Sequence, residues 1–338
     1  MQSARLVVRR FLDKAVRLAL VGSLAAVPVA GFATLEEATP EARLVPLGLP
    51  GENEPVAYDP AEVELGRRLF FETALSRERT ISCSSCHRPE HGFADPRRRS
   101  IGDRGEKTLR HAPTLLNRAF GEAFFWDGRA GTIEEQVLQP IANEREMDLP
   151  LEAALERLNQ DESYRSAFEA VYQAPAEAES LASALAAFVR TLLSGDSPVD
   201  RFRAGERSAL SKAARSGMWL FESRGRCWRC HAGANFSDEE FHNTGVAARS
   251  GDRDAGRFEV TGDEADRGRF KTPTLRGLVH TAPYMHDGSL ATLEEVVELY
   301  RDGGHANANL DPLIEPIEMS DEDVQNLAAF LRALSTER

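Results

Sequence analysis

All four cysteines of the chain fall within two Cys-x-x-Cys-His motifs. The motifs are Cys83-Ser-Ser-Cys86-His87 and Cys227-Trp-Arg-Cys230-His231. Two thiols at this spacing add across the vinyl groups of a haem, and the adjacent histidine then lies under the iron as an axial ligand. A redox-active cysteine pair would need a βαβ context, and a zinc site or structural disulfides would leave the histidines unexplained. The sequence therefore predicts two covalently bound haem c groups.

An internal repeat surrounds the two motifs. Residues 112–137 and 272–297 align without a gap at an offset of 160, with nine identities in 26 positions. Two flanking pairs of segments match as well: 66–70 with 217–221 before the motifs, and 184–192 with 326–334 after them. Self-similarity of this kind indicates a duplicated structural unit. We therefore predict two copies of one haem domain, each with a helix, the attachment motif, a loop, a distal segment and a closing helix.

Helix signals dominate the rest of the pattern. Asp59 followed by a proline is typical of a helix start, and Ser320 precedes an apolar stripe at helical spacing. Alternating strand patterns are nearly absent. The sequence predicts an all-α fold with long loops, built from two tandem cytochrome c-type haem domains over 58–198 and 199–338. Residues 244–269 contain five glycines and six acidic residues and are predicted to form a solvated loop.

The first 33 residues have a different composition. Five basic residues precede an apolar stretch over 18–33, which Pro28 interrupts. This is typical of a secretory signal peptide with a small-residue cleavage site near Ala33. An uncleaved anchor is the alternative, but a stretch of this length with a proline is short for a bilayer span. We therefore predict a periplasmic protein with no membrane span in the mature chain, and the net charge of −13 argues against nucleic acid as a partner.

The repeat also predicts a difference between the two irons. The offset of 160 pairs Pro140 with Tyr300. A proline side chain cannot bind iron, whereas a tyrosine phenolate can. The first haem should therefore have an open sixth position and the second a closed one, which makes His286 a structural residue. The alternatives are a plain helix stop at Pro140 and a packed aromatic at Tyr300.

Several segments resemble the bacterial di-haem cytochrome c peroxidases and their MauG-type relatives. The segments are Phe125-Trp126-Asp127-Gly128-Arg129, Gln136, Pro140, Glu146-Met147 and Pro283-Tyr284-Met285-His286-Asp287-Gly288. In that family the amino-terminal haem is peroxidatic and the carboxy-terminal haem passes or stores electrons. The resemblance implies that Trp126 lies between the haems, and that Gln136 and Glu146 are catalytic groups in the distal pocket of the first. Ordinary members close the second haem with a methionine, and Tyr300 at that position resembles the MauG-type ligand.

Two positions depart from the ordinary family pattern. Ordinary members block the resting first haem with a histidine, and the matching residue here is Asp103. The family also holds a calcium ion between the haems, through an asparagine side chain and two backbone carbonyls. The carbonyls match Thr281 and Pro283, but His111 stands at the asparagine position. Calcium therefore stays open from the sequence.

Three functions are consistent with these residues. The first is a periplasmic di-haem peroxidase that reduces hydrogen peroxide with electrons from a small donor cytochrome c or cupredoxin. In this function Glu146 is the base that moves a proton between the peroxide oxygens. The alternative is that Glu146 is a solvent-exposed surface carboxylate, as most glutamates are. The second is a MauG-type enzyme that oxidises residues of a protein substrate through high-valent iron. The third is a non-catalytic di-haem electron carrier. A carrier needs no open iron, so it is expected to bind neither carbon monoxide nor cyanide.

Overall fold

A computed structural model describes residues 43–51, 55–56, 58–249 and 254–336 of the chain. The predicted signal peptide over 1–33 lies outside the described residues. The α-helices are α1 Pro60–Phe70, α2 Ile133–Ala142, α3 Leu151–Gln160, α4 Glu162–Tyr172, α5 Ala178–Arg190, α6 Pro198–Arg203, α7 Lys212–Glu222, α8 Val246–Arg249, α9 Phe258–Thr261, α10 Leu293–Arg301 and α11 Asp321–Arg332. The strands are β1 Arg43–Leu44, β2 Pro55–Val56, β3 Phe241–His242 and β4 Phe270–Lys271, which pair as β1–β2 and β3–β4, both antiparallel. None of the helices in these ranges has the length and apolarity needed to cross a membrane.

The helices begin at polar caps that satisfy their first backbone N–H groups. The Asp59 carboxylate accepts from the N–H of Ala61 at 2.8 Å, at the start of α1. Thr132 and Thr292 occupy equivalent positions in the repeat and cap α2 and α10. Each threonine hydroxyl accepts, at 3.1 Å, from the N–H three residues further on. The repeat therefore places the distal helix of each half at the same point.

The first helix of each half packs closely on the last, and a glycine allows it. A Cβ atom on Gly66 of α1 would lie 1.8 Å from the carbonyl oxygen of Ala184 in α5. A Cβ atom on Gly217 of α7 would lie 1.9 Å from the carbonyl oxygen of Asn326 in α11. Both pairs match in the repeat. The two helix pairs are therefore copies of one packing arrangement, which confirms the predicted duplicated all-α fold.

Aromatic rings fill the space beneath each helix pair in the same way. Phe70 and Phe188 have ring centroids 5.1 Å apart in the first half, and Phe221 and Phe330 have theirs 5.0 Å apart in the second. One hydrophobic core collects buried residues between 65 and 192, and another collects residues between 199 and 334. Each half thus has its own core.

The halves differ by a helical pair that the repeat did not predict. The sequence offset between matching residues falls from 160 at the distal segments to 142 at the closing helices. Helices α3 and α4 occupy the additional length in the first half, and Ala154, Leu158 and Phe168 bury their side chains in its core. Both helices are amphipathic, but neither has a counterpart in the second half.

Part of the predicted solvated loop over 244–269 is structured. It contains α8 and α9, and the side chain of Asp254 is fully buried against Arg110. The prediction rested on the high glycine and acid content of the segment. That content could not show that Asp254 forms an ion pair with an arginine from the first half of the chain.

Candidate functional site

The first attachment motif forms a tight turn that fixes its histidine. Residues 83–85 form a 3-10 helix, and the N–H of His87 donates to the carbonyl of Cys83 at 2.9 Å. Nδ1 of His87 lies 3.0 Å from the carbonyl oxygen of Phe93. This contact orients the ring with Nε2 on its opposite side, as in metal-binding histidines held by a backbone carbonyl. Burial lowers the pKa of His87, so the imidazole is in the neutral form that binds metal.

The second motif repeats this geometry. Residues 227–229 form a 3-10 helix, and the N–H of His231 donates to the carbonyl of Cys227 at 2.9 Å. Nδ1 of His231 lies 3.0 Å from the carbonyl oxygen of Phe236, and burial again lowers the histidine pKa. Burial also raises the pKa of Cys227 to about 12, so its sulfur is uncharged, as a thioether sulfur would be. Both motifs therefore fit a haem attached through two thioethers.

A cavity of about 220 Å³ adjoins the second motif. Cys227, Cys230, His231 and Tyr300 all line it, together with many apolar side chains of α7, α10 and α11. Burial raises the pKa of Tyr300, and its phenol faces the same cavity as both sulfurs. An apolar cavity with two sulfurs, an imidazole and a phenol has the donor set of a haem c site with histidine and tyrosine available to the iron.

The distal segment of the first half has Pro140 at the repeat position that matches Tyr300. Gln136 and Pro140 lie on α2 and are partly buried. The plain helix stop considered for Pro140 is wrong, because α2 continues through this residue to Ala142. The carbonyl of Pro140 accepts from the N–H of Met147 at 3.1 Å, which folds the following turn back against the helix. Pro140 thus occupies the place of Tyr300 without an atom that can bind metal.

Glu146 lies in that turn and is partly buried. Its carboxylate accepts from Nδ2 of Asn143 at 2.8 Å. Burial raises the pKa of Glu146, while the charge of Arg129 and the Asn143 hydrogen bond lower it to a smaller extent. The charge of Glu146 in turn raises the pKa of Cys83 and Cys86, though less than burial does. The structure therefore brings this carboxyl close to the first attachment motif, with an elevated pKa that suits proton transfer.

Asp103 lies next to Glu146 but points its carboxylate elsewhere. The N–H of Asp103 donates to the carbonyl of Glu146 at 2.8 Å. The carboxylate accepts from the N–H of Glu78 and the hydroxyls of Thr80 and Ser76. These hydrogen bonds outweigh burial, which would raise the pKa, and hold the pKa of Asp103 low. The residue that matches the family's blocking histidine is thus an ionised side chain fixed to the turn before the first motif.

Trp126 connects the two halves. Its Nε1–H donates to the carbonyl of His111 at 2.9 Å, and its own carbonyl accepts from the N–H of Lys271 at 2.8 Å. The ring lies 6.4 Å from that of His286, which stacks on Phe270 at 3.6 Å. Trp126 also lines the second cavity. An indole from the first half therefore reaches the wall of the second haem site.

An ion-pair network that the sequence did not predict holds Trp126 in place. Arg110 is nearly buried and donates to the carboxylates of Asp127 and Asp254. Although burial alone would lower the Arg110 pKa, these carboxylates raise it above its usual value. Asp127 directly follows Trp126, so the arginine fixes the loop that carries the indole. The only sequence signal was the proximity of Arg110 to the repeated segment.

The predicted calcium ligands have an unfavourable neighbour. Thr281 and Pro283 line the second cavity together with His111. Burial lowers the pKa of His111, and its Nδ1 lies 3.2 Å from the carbonyl oxygen of Arg97. Calcium prefers oxygen ligands, and a neutral imidazole replaces the oxygen donor of the family pattern. Calcium at the Thr281 and Pro283 carbonyls stays a prediction.

Two copies of a mostly helical unit, each with a haem-attachment motif, define a di-haem c-type protein. Residues 60–208 match the family described as di-haem cytochrome c peroxidase. The chain is 39% identical over 280 residues to the methylamine utilization protein MauG of Methylorubrum extorquens, covering 82% of this chain and 79% of that protein. It is 36% identical to the cytochrome c551 peroxidase of Nitrosomonas europaea, covering 85% and 86% of the two chains.

A solved structure agrees with these sequence matches. A MauG-like protein associated with microbial copper homeostasis superposes with a TM-score of 0.78 at 33% identity, over 89% of this chain and 95% of that one. The chain belongs to the di-haem cytochrome c peroxidase family. It is therefore a peroxidase-class enzyme with two covalently bound haem c groups.

Proposed function

We propose that the chain is a periplasmic di-haem peroxidase that reduces hydrogen peroxide with electrons from a small redox protein. The observation that supports the proposal is the contrast between two matching positions of the repeat: Pro140 on α2 has no side-chain atom that can bind iron, whereas Tyr300 lines the second cavity. Cys83, Cys86 and His87 hold the peroxidatic haem in the domain over 58–198. Cys227, Cys230, His231 and Tyr300 hold the electron-transfer haem in the domain over 199–338.

The haem irons, when bound, supply one-electron redox chemistry and the coordination position for peroxide. The chain supplies the proton transfer. Glu146 takes the proton from the peroxide oxygen that approaches the first haem and returns it to the other oxygen, which leaves as water. Asn143 holds the carboxyl for this transfer at 2.8 Å, and Gln136 on α2 orients the peroxide. Two electrons and two protons convert each peroxide into two water molecules.

Trp126 would lie between the two haem sites and would carry electrons from the second to the first. The indole contacts residues of both halves, and the hydrogen bond to His111 and the Asp127–Arg110 ion pair fix its position. A fixed ring requires little rearrangement when charge passes through it. The donor is a small cytochrome c or a cupredoxin that binds near the second haem. The signal peptide over 1–33 directs the chain to the periplasm, where such donors occur.

Tyr300 favours a second candidate, a MauG-type enzyme that takes the two electrons from residues of a protein substrate. An anionic oxygen ligand stabilises the higher charges of iron and opposes its reduction by a donor of moderate potential. A relative named MauG and a relative named cytochrome c551 peroxidase match the chain with similar identity. The electron source is therefore the property that distinguishes the two candidates.

Steady-state oxidation of reduced donor proteins tests the first candidate. The haem-loaded chain should oxidise a reduced small cytochrome c or cupredoxin when hydrogen peroxide is added, with two donor molecules consumed per peroxide. Consumption of peroxide without donor oxidation, and with new oxygen atoms in a co-purifying protein by mass spectrometry, would instead support the MauG-type function. A chain that binds neither cyanide nor carbon monoxide would be an electron carrier.

A further inference from the structure

A triad of charged side chains lies beside the second attachment motif and takes no part in the proposed reaction. Nδ1 of His242 lies 2.7 Å from a carboxylate oxygen of Asp311, and its Nε2 lies 3.0 Å from a carboxylate oxygen of Asp238. An ionised carboxylate can only accept a hydrogen bond, so both ring nitrogens donate and His242 carries a positive charge. The hydrogen bonds to Asp238 and Asp311 both raise the His242 pKa, which keeps the ring protonated. The triad therefore has a net charge of about −1.

This charge is close to the haem-attaching sulfur. Sγ of Cys230, a carboxylate oxygen of Asp238 and a ring nitrogen of His242 all lie within 4.8 Å of one another. His242 also lines the second cavity. The side chains of Asp311 and His242 are only 9% and 18% exposed, so water screens the triad weakly. A change of one charge here should therefore reach the second haem with little attenuation.

Backbone hydrogen bonds fix the triad relative to the attachment motif. The N–H of Asp238 donates to the carbonyl of Cys230 at 2.8 Å, and the N–H of Asp311 donates to the carbonyl of Asn243 at 2.9 Å. Leu313 and Ile314, two and three residues after Asp311, line the second cavity. His242 thus joins the attachment turn, strand β3 and the cavity wall. These hydrogen bonds hold the triad against the attachment turn.

We propose that the Asp238–His242–Asp311 triad sets the reduction potential of the second haem. The proposal depends on the haem assignment above, in which Cys230 is one of the attachment sites. A net negative charge near an iron favours the more positive, oxidised state, because the oxidised iron gains more from the attraction. The triad therefore acts in the same direction as an anionic Tyr300. Lys271 and Glu239 form another buried ion pair near His231, and the variants below leave this pair unchanged.

A series of charge variants tests the proposal in the haem-loaded chain. His242→Gln removes the positive charge, and the second haem should then favour the oxidised form about tenfold, a shift of about 59 mV for a one-electron couple. Asp311→Asn removes a negative charge and should shift the potential by a similar amount in the opposite direction. The double variant restores the net charge and should return close to the wild-type potential. Spectroelectrochemical titration of each haem measures these potentials.

His91→Gln, in the first half, is the matched control and should leave the second potential unchanged. The first haem serves as an internal standard in every variant. Shifts of the same sign in both single variants, or no shift, would overturn the proposal while leaving the haem assignment intact. If His242→Gln lowers the haem content, the sign of the potential shift in Asp311→Asn tests the proposal instead. A wild-type chain with fewer than two haems in a pyridine haemochrome assay would overturn the proposal together with the haem assignment.

Discussion

At the scale of single residues, the protonation state of the Glu146 carboxyl controls the proposed reaction. Burial raises the Glu146 pKa above its ordinary value of 4.5, and only the deprotonated form can accept a proton from peroxide. The rate with peroxide should therefore fall as the pH decreases through this elevated pKa. Stopped-flow measurements across the pH range, at saturating haem content, should detect this acidic limb. Activity that is constant down to the ordinary carboxyl range would place the base elsewhere.

Glu146→Gln keeps the shape of the side chain but removes the base. We expect the rate with peroxide to fall about 10²- to 10⁴-fold, the usual contribution of a general acid–base group, and the acidic limb to disappear. Haem loading should not change. Glu144→Gln is the matched control, because Glu144 is an exposed carboxylate two residues away in the same turn. A loss of less than a few-fold in Glu146→Gln, or an equal loss in both variants, would contradict the proposed role.

Tyr300 has a matched neighbour in the same cavity. Tyr284 also lines it, but its hydroxyl donates to the carbonyl of Leu278 at 2.9 Å. Tyr300→Phe should convert the second haem from low-spin to five-coordinate or water-bound, because the phenolate oxygen is the predicted ligand. Tyr284→Phe should leave the spin state unchanged. Ferric EPR spectra distinguish the two forms, and an unchanged spectrum in Tyr300→Phe would show that this tyrosine is only a packing residue.

At the scale of helices, two glycines determine how closely the first and last helix of each half pack. Gly66 and Gly217 let each opening helix touch the carbonyl of its closing helix, where an added methyl group meets rigid backbone. Gly66→Ala and Gly217→Ala should each destabilise the chain by about 1–3 kcal/mol, the usual cost of overpacking. Gly131→Ala is the control, since its Cβ would meet only the end of the Glu135 side chain at 3.6 Å. Urea unfolding of the three haem-loaded variants compares these stabilities, and equal midpoints would contradict the expectation.

Whether the first haem opens only after the second is reduced is a property of the whole molecule, because this activation step would couple the two haem sites. Asp103 is fixed by hydrogen bonds from residues 76–80, so no side chain at this position blocks the first haem. We expect the first haem to be open in the fully ferric protein. Peroxide added to the ferric protein as isolated should change its absorption spectrum within the mixing time. A ferric protein that stays inert until one electron is added would mean that another ligand blocks the iron.

The sequence predicted the features that depend on residue type at a fixed spacing. The two attachment motifs, the helix starts and the duplicated fold followed from local chemistry and from self-alignment. The positions of Arg110, Asp254 and His242 could not be predicted. Their roles depend on which carboxylate meets which cation, and these partners lie far apart in the chain. Helices α3 and α4 were missed for another reason, since they have no counterpart in the second half.

The wall of the second cavity has an implication for how the chain matures. His111, Pro113 and Trp126 come from the first half, yet they close the cavity that contains the sulfurs of the second. An attachment enzyme must reach Cys227 and Cys230 before this wall forms. Haem attachment to the second motif should therefore come before the two halves dock. A gene divided between 198 and 199 should yield separate chains that retain their haems but leave the second one open to solvent.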